Sequence, residues 1–498
     1  MKYKHIILGV FLLSAVSCTK DFDEMNTNPN KPAEATEAQL FTNAQFYFSD
    51  NIGDEWNSGR MGMYYAQYWS STYYSEESRY QIRETVNQTM WNTFYADVLN
   101  ELKNAQEIAQ AKKFDGWENR VAIAEIFKAF TFHYISDIYG GPIPYSEALD
   151  PSNVIPKYDS GEDVYAGLIK TLQEQVKILD ESKPGFDGDI VYAGSVEKWK
   201  KFANSSILRI ALRMIDAKPA EAQAAIAFAL NPANGGIISN QDESAMFRWQ
   251  SSAPNNNPIN ESNKTRQDFS MSKPFIDYLK LFSDPRLSAY ALPLVDARGQ
   301  SLGTYEGEVY GLRNGNGSSN ADRTMVSLPT AYAIGAEAPT IWLDLAEVKF
   351  MLAEIAQRGL NVGLTGTAAE YYADGIRTSM EFAGVNDNAA ITSYMARVPY
   401  NASKWKDCIG TQKWIAMYTQ GIQGWFERLR LDFKNPYSGA EIFALPADGT
   451  LDPDVTTFPG RMTYPVIEAS LNGANYQSAL QLIGGKNTKA AKSWWDKF

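Results

Sequence analysis

The segment LAEVKFMLAEIAQRGLNVGLTGTAAEYYADGIRTSM, residues 345–380, decides the fold. Apolar residues recur at helical spacing on both sides of a centre containing Gly and Asn, so it reads as helix, turn, helix. Small Ala353 and Ala373 beside bulky Leu352, Tyr372 and Ile376 allow two antiparallel helices to pack closely.

This is a hairpin of tetratricopeptide type. Outward from it, the same periodicity covers residues 36–49, 83–112, 118–138, 161–181, 195–216, 219–230, 344–358, 367–383 and 404–431. Residues 120–139 with 161–181 read as a second hairpin, yet no clean array of about 34-residue repeats is present. A few hairpins inside one compact body are expected, not an open solenoid. Ser283 or Asp284 before Pro285 marks a further helix start. Strand alternation is scarce and short, for example around Ala245 to Gln250 and Glu308 to Leu312. SSAPNNNPINESNKTRQD (251–268) and GTYEGEVYGLRNGNGSSNADR (303–323) read as long irregular loops, which in compact domains are functional or disordered. The fold class is therefore mainly α: one helical body over residues 37–498.

Composition narrows the function. A formal charge of −12 without a basic stripe argues against nucleic-acid binding. The two histidines are His5 and His133, so a zinc site of several imidazoles is ruled out. His133, in EIFKAFTFHYISDIYG, reads as a hydrogen-bonded core residue, and Cys408 reads as a buried, inert thiol on an apolar helix face running from Trp405 to Leu429. Neither GxGxxG nor GxxxxGK[ST] occurs, so no cofactor is expected. NGNGSSN lacks the carboxylates of a calcium loop, so no metal is expected either. Aromatics supply 13% of residues, with 28 Tyr and 12 Trp, which suits wet binding surfaces.

The first seventeen residues read as a leader: Lys2 and Lys4, an apolar core from Ile6 to Val16, then small residues before Cys18. That pattern is a lipobox with Cys18 as the lipid attachment point, although Ala15 stands where Leu is usual. Ordinary secretion with a free thiol is the alternative. Residues 18–36, including Asp21, Asp23 and Glu24, read as an acidic, polar tether.

Taken together, SCTKDFDEMNTNPNKP (17–32), AEIFKAFTFHYISDIYGGPIPYSEAL (124–149), WKKFANSSILRIALRM (199–214), FIDYLKLFSDPRL (275–287), TQKWIAMYTQGIQGWFERLR (411–430) and FPGRMTYPVIEASLNGANY (458–476) resemble the SusD/RagB family of outer-membrane lipoproteins, in its divergent SusD-like branch. The resemblance implies a helical, non-catalytic lid on a SusC-like TonB-dependent transporter. It further implies an outer-membrane anchor, a position facing the cell exterior, and capture of an oligosaccharide or a peptide. It supplies no ligand residues, because these vary within the family.

Those are argued from chemistry. Sugar rings offer C–H faces to Trp and Tyr, and hydroxyls to Asn, Gln, Asp or Arg. MYYAQYWSSTYYSEESRY (63–80) is the densest aromatic stretch. Within it Tyr65, Tyr68 and Trp69 share one helical face, which could serve the core or a ligand, whereas Tyr73 and Tyr74 fall in a loop. Trp249 precedes the Asn-rich loop with Asn256 and Asn257, and Tyr305 lies in the Gly-rich loop. The expected site is where these three segments converge. A surface glycoside hydrolase is the competing reading. It would need two carboxylates roughly 5–9.5 Å apart, and no motif presents them. A structural adaptor without ligand is a third.

Overall fold

The computed structural model describes residues 35–314 and 321–498. The leader, Cys18 and most of the tether lie outside the described residues, as do residues 315–320 of NGNGSSN.

The first helix, α1 (Glu37–Gly53), opens on a capping box. Gln39 N–H donates to the Thr36 hydroxyl at 3.2 Å while the Gln39 side chain accepts from Thr36 N–H at 2.9 Å. Leu40, Phe41, Ala44, Phe48 and Ile52 then fall on one buried face. Helices α2 (Asn100–Lys112), α3 (Trp117–Ile138), α4 (Gly161–Ile178), α5 (Val196–Met214) and α6 (Pro219–Leu230) follow, each packed on its predecessor. α3 is apolar on nearly every face and buried along most of its length, so it can lie only at the centre of the body.

Helices α7 (Leu345–Gln357) and α8 (Ala368–Phe382) form the hairpin expected at 345–380 and pack together. The residue that lets them approach is Gly375 rather than Ala373. A Cβ at Gly375 would lie 2.8 Å from the Phe350 ring, while Ala373 is only half-buried. The pairing of 120–139 with 161–181 is also present, as α3 on α4.

The expected long helix over 404–431 is broken. It forms α9 (Trp405–Ala416) and α10 (Gly421–Leu431), with Thr419 at φ 84° in the turn between them. Gly421 there meets backbone with backbone: its added Cβ would stand 2.4 Å from Met63 N.

Among the described residues, strands form three two-stranded antiparallel pairs: β1 (Trp69–Ser71) with β5 (Phe269–Met271), β2 (Ile143–Pro144) with β3 (Tyr158–Asp159), and β4 (Ala245–Phe247) with β6 (Thr340–Leu343). The alternation at 308–312 yields only a bridge from Glu308 to Ser272.

Charge is buried where the later helices meet. Glu427 lies 2.7 Å from Arg430, 3.1 Å from Lys413 and 3.4 Å from Arg213. Arg430 also pairs with Glu354 at 2.7 Å, and Arg209 pairs with Glu347 at 2.5 Å. His133 is a core residue, 3.2 Å from Asp137. Cys408 is buried, and burial raises its thiol pKa.

Candidate functional site

Strand β1 pairs with β5, so the aromatic-rich stretch and the end of the Asn-rich segment run side by side. The contact continues past the strands. Thr72 N–H donates to Asp268 O at 3.0 Å, and its hydroxyl donates to Gln267 O at 2.7 Å. Ser75 N–H donates to Asn314 Oδ1 at 3.2 Å, which brings in the Gly-rich segment. The three segments therefore meet at residues 72–75, and the two exposed tyrosines stand there.

Tyr73 is 36% and Tyr74 42% exposed. Tyr74 has φ 55°, a left-handed conformation that a bulky residue adopts only when its surroundings impose it. The Arg266 guanidinium supports the turned-out rings, 4.6 Å from the Tyr74 centroid and 5.8 Å from that of Tyr73.

Beneath the rings lies a charged floor. Arg60, fully buried, contacts Glu55 at 3.0 Å, Glu77 at 3.5 Å, and Asp268. Asp268 also accepts from Arg266. Burial raises the Glu77 carboxyl pKa, against the pull of Arg60 and Arg83. Trp56 has the Arg60 and Arg83 guanidinium groups each 4.7 Å from its ring centroid. Trp56 and Arg60 both come from Glu55–Gly62, a π-helical insertion after α1; such insertions are frequent at functional sites. The result is a pair of outward rings on a fixed guanidinium layer. The exposed Arg83 and Arg266 add polar donors at its edge.

The remaining expected site residues are elsewhere or already engaged. Trp69 is 1% exposed, tilted over Phe269 at 4.8 Å, and donates its indole N–H to the Tyr418 hydroxyl at 3.0 Å. It is a core residue, because the side chains of a strand covered on both sides have no outward face. Trp249 is buried against Phe46 and Phe247 and donates to Thr340 Oγ1 at 3.0 Å. Asn257 caps the short helix Pro258–Asn263, accepting from Ile259 N–H at 2.9 Å and donating to Ala338 O at 2.8 Å. Asn256 donates to Asn260 and Glu261. These two amides complete a turn and have little left for a ligand. Tyr305 is half-buried against the core. Trp56, Arg60, Arg83 and Arg266 were not anticipated. The first three meet locally around the Trp56 ring, and the β1–β5 pairing brings Arg266 to them from a distant part of the chain.

Residues 29–465 match a SusD-like family described as "Starch-binding associating with outer membrane". The chain belongs to the SusD-like family. Among solved structures, this SusD-like protein is similar to a chitin-binding protein, with TM-score 0.80 and 26% identity over 93% of this chain and 100% of that one. A SusD homologue from Bacteroides uniformis gives TM-score 0.79 and 23% identity over 92% and 99% of the two chains. A chitin-binding SusD homologue from Flavobacterium johnsoniae gives 0.76 and 23% over 92% and 98%. Among curated proteins none matches. The mainly α body read from the sequence is the fold these structures share. Among the described residues no helix is long and apolar enough to cross a membrane.

Proposed function

We propose that this SusD-like protein binds an oligosaccharide on the Tyr73–Tyr74 face without cleaving it and passes it to a SusC-like TonB-dependent transporter. In this reading the Cys18 lipid holds the protein on the outer membrane, facing the cell exterior. The observation that carries the proposal is the pair of outward rings, one kept at φ 55° over the Arg266 guanidinium. A sugar's C–H face stacks on such rings, while Arg83 and Arg266 donate to its hydroxyls. The family's starch-binding description and the chitin-binding relative at 26% identity favour a neutral glycan over a peptide. Non-catalytic binding is supported by the carboxylates of the floor: Glu55, Glu77 and Asp268 all converge on Arg60, a geometry that occupies them with ion pairing.

Calorimetric titration with chitin and starch oligosaccharides, followed by a reducing-end assay on the same samples, tests this. Saturable binding of uncleaved sugar is expected. Released reducing ends would transfer the protein to the hydrolases, and binding of peptides alone would replace the ligand class.

A further inference from the structure

A second cleft, of about 490 Å³, is lined by none of the residues of the Tyr73–Tyr74 face. Its volume falls within the roughly 300–1,000 Å³ of small-molecule sites. Arg248, Tyr332, Glu337, Phe382 and Thr419 contribute to its lining. We infer that this cleft is a second saccharide site, holding a neutral sugar unit between Arg248 and Glu337 against the Tyr332 and Phe382 rings. The inference rests on the glycan-binding reading above.

Three independent features lead there. First, Arg248 and Glu337 are exposed, and the side chain of neither makes a hydrogen bond or ion pair among the described residues. A guanidinium and a carboxylate on one cleft, unspent, suit a ligand that both accepts and donates. Vicinal sugar hydroxyls do both. An acidic ligand would meet Glu337 and a basic one Arg248, so the mixed pair selects against net charge.

Second, the rings are set in place. Tyr332 and Phe382 meet edge to face, with centroids 6.2 Å apart at 76°. Tyr332 is backed on Tyr418 at 6.1 Å and 13°. Aromatic surface fixed in this way is a stacking platform.

Third, the backbone is strained at the cleft. Thr419 is β-branched and has φ 84°, a conformation costly for that side chain. Its neighbours enforce it. The Tyr418 hydroxyl accepts from Trp69, and Gln420 donates to Asp344 at 3.0 Å. Glycine would serve a mere turn better; the residue held there is a threonine that lines the cleft.

The test is calorimetry on the whole protein and on Arg248→Ala, Glu337→Gln and Thr419→Gly, with short chitin and starch oligosaccharides and a zwitterionic dipeptide as probes. The charge variants alter exposed side chains, and equal melting temperatures would verify that they fold. In a two-site fit each should weaken the second site about tenfold or more, the loss expected for one hydrogen bond to a charged group, and leave the Tyr73–Tyr74 site as in the parent. Thr419→Gly should melt no lower than the parent yet bind more weakly. If Tyr74→Ala weakens binding while these three bind as the parent does, the second site is wrong and the first stands. If the parent binds no sugar, both readings fall. Dipeptide binding that is lost in Arg248→Ala, without sugar binding, would overturn the saccharide assignment.

Discussion

Trp69 and Tyr74 stand five positions apart in one aromatic stretch, and the structure buries the first and exposes the second. Replacing Trp69 by Ala empties a core position that is 1% exposed and packed on Phe269. Such a truncation costs about 3–5 kcal/mol through lost burial and the cavity left behind. The Tyr418 hydroxyl also loses its indole donor, adding up to about 1 kcal/mol. Tyr74→Ala, at 42% exposure, forfeits mainly the contact with Arg266, about 0.5–1 kcal/mol for an exposed cation–π pair. Tyr74→Gly returns part of that by relieving the left-handed backbone. Affinity should reverse the order: loss of a central ring costs about 2 kcal/mol, roughly thirtyfold in Kd. Urea denaturation and oligosaccharide titration of the same preparations measure both quantities. A Trp69→Ala protein of parental stability that no longer binds, beside a Tyr74→Ala protein that binds normally, would refute the assignment.

Three further outcomes follow from the interior. Glu427→Gln should destabilise by about 3–5 kcal/mol, because it leaves buried Arg213, Lys413 and Arg430 without a shared counter-charge; a urea midpoint within experimental error of the parent would contradict this. Burial raises the Asp344 carboxyl pKa to about 6, above the unfolded value. The proton's stabilising contribution is then fully present below about pH 4 and is lost as pH rises through about 6, on the order of 2–3 kcal/mol. Asp344→Asn keeps an acceptor for Glu347 N–H, which Asp344 now caps at 2.8 Å, and should flatten stability measured between pH 4 and 7. An unchanged pH slope would show that another group carries it. Gly421→Ala should cost several kcal/mol by overpacking, since its Cβ would stand 2.4 Å from Met63 N; calorimetric melting at the parental temperature would contradict the close approach.

Local periodicity sufficed for most helices, because they bury a stripe that the sequence spells out at helical spacing, while α3 is legible as an almost continuous apolar run. It misled at 404–431. The apolar face runs on through Ile415, Tyr418 and Ile422, but the break depends on Gly421 meeting Gly62 and Met63 from far away in the chain. The site was legible in the same uneven way. The exposure of Tyr73 and Tyr74 was legible because Ser70 to Ser75 reads as a helix end or loop. Trp69, in β1, and Trp249, just past β4, were not separable from them, since each indole is held in the core by partners distant in the chain, among them Tyr418 and Thr340. Asn256 and Asn257 looked like hydroxyl partners and proved to be turn chemistry. Arg266 gave no local signal. Its meaning comes from standing over Tyr74.

The most direct test of the account is a crystal structure of the protein with a chitin or starch oligosaccharide that it binds. The account predicts an intact sugar chain stacked on Tyr73 and Tyr74 within hydrogen-bond reach of Arg83 or Arg266. A sugar seated elsewhere with that face bare, or a hydrolysed product beside Glu77 and Asp268, would contradict it.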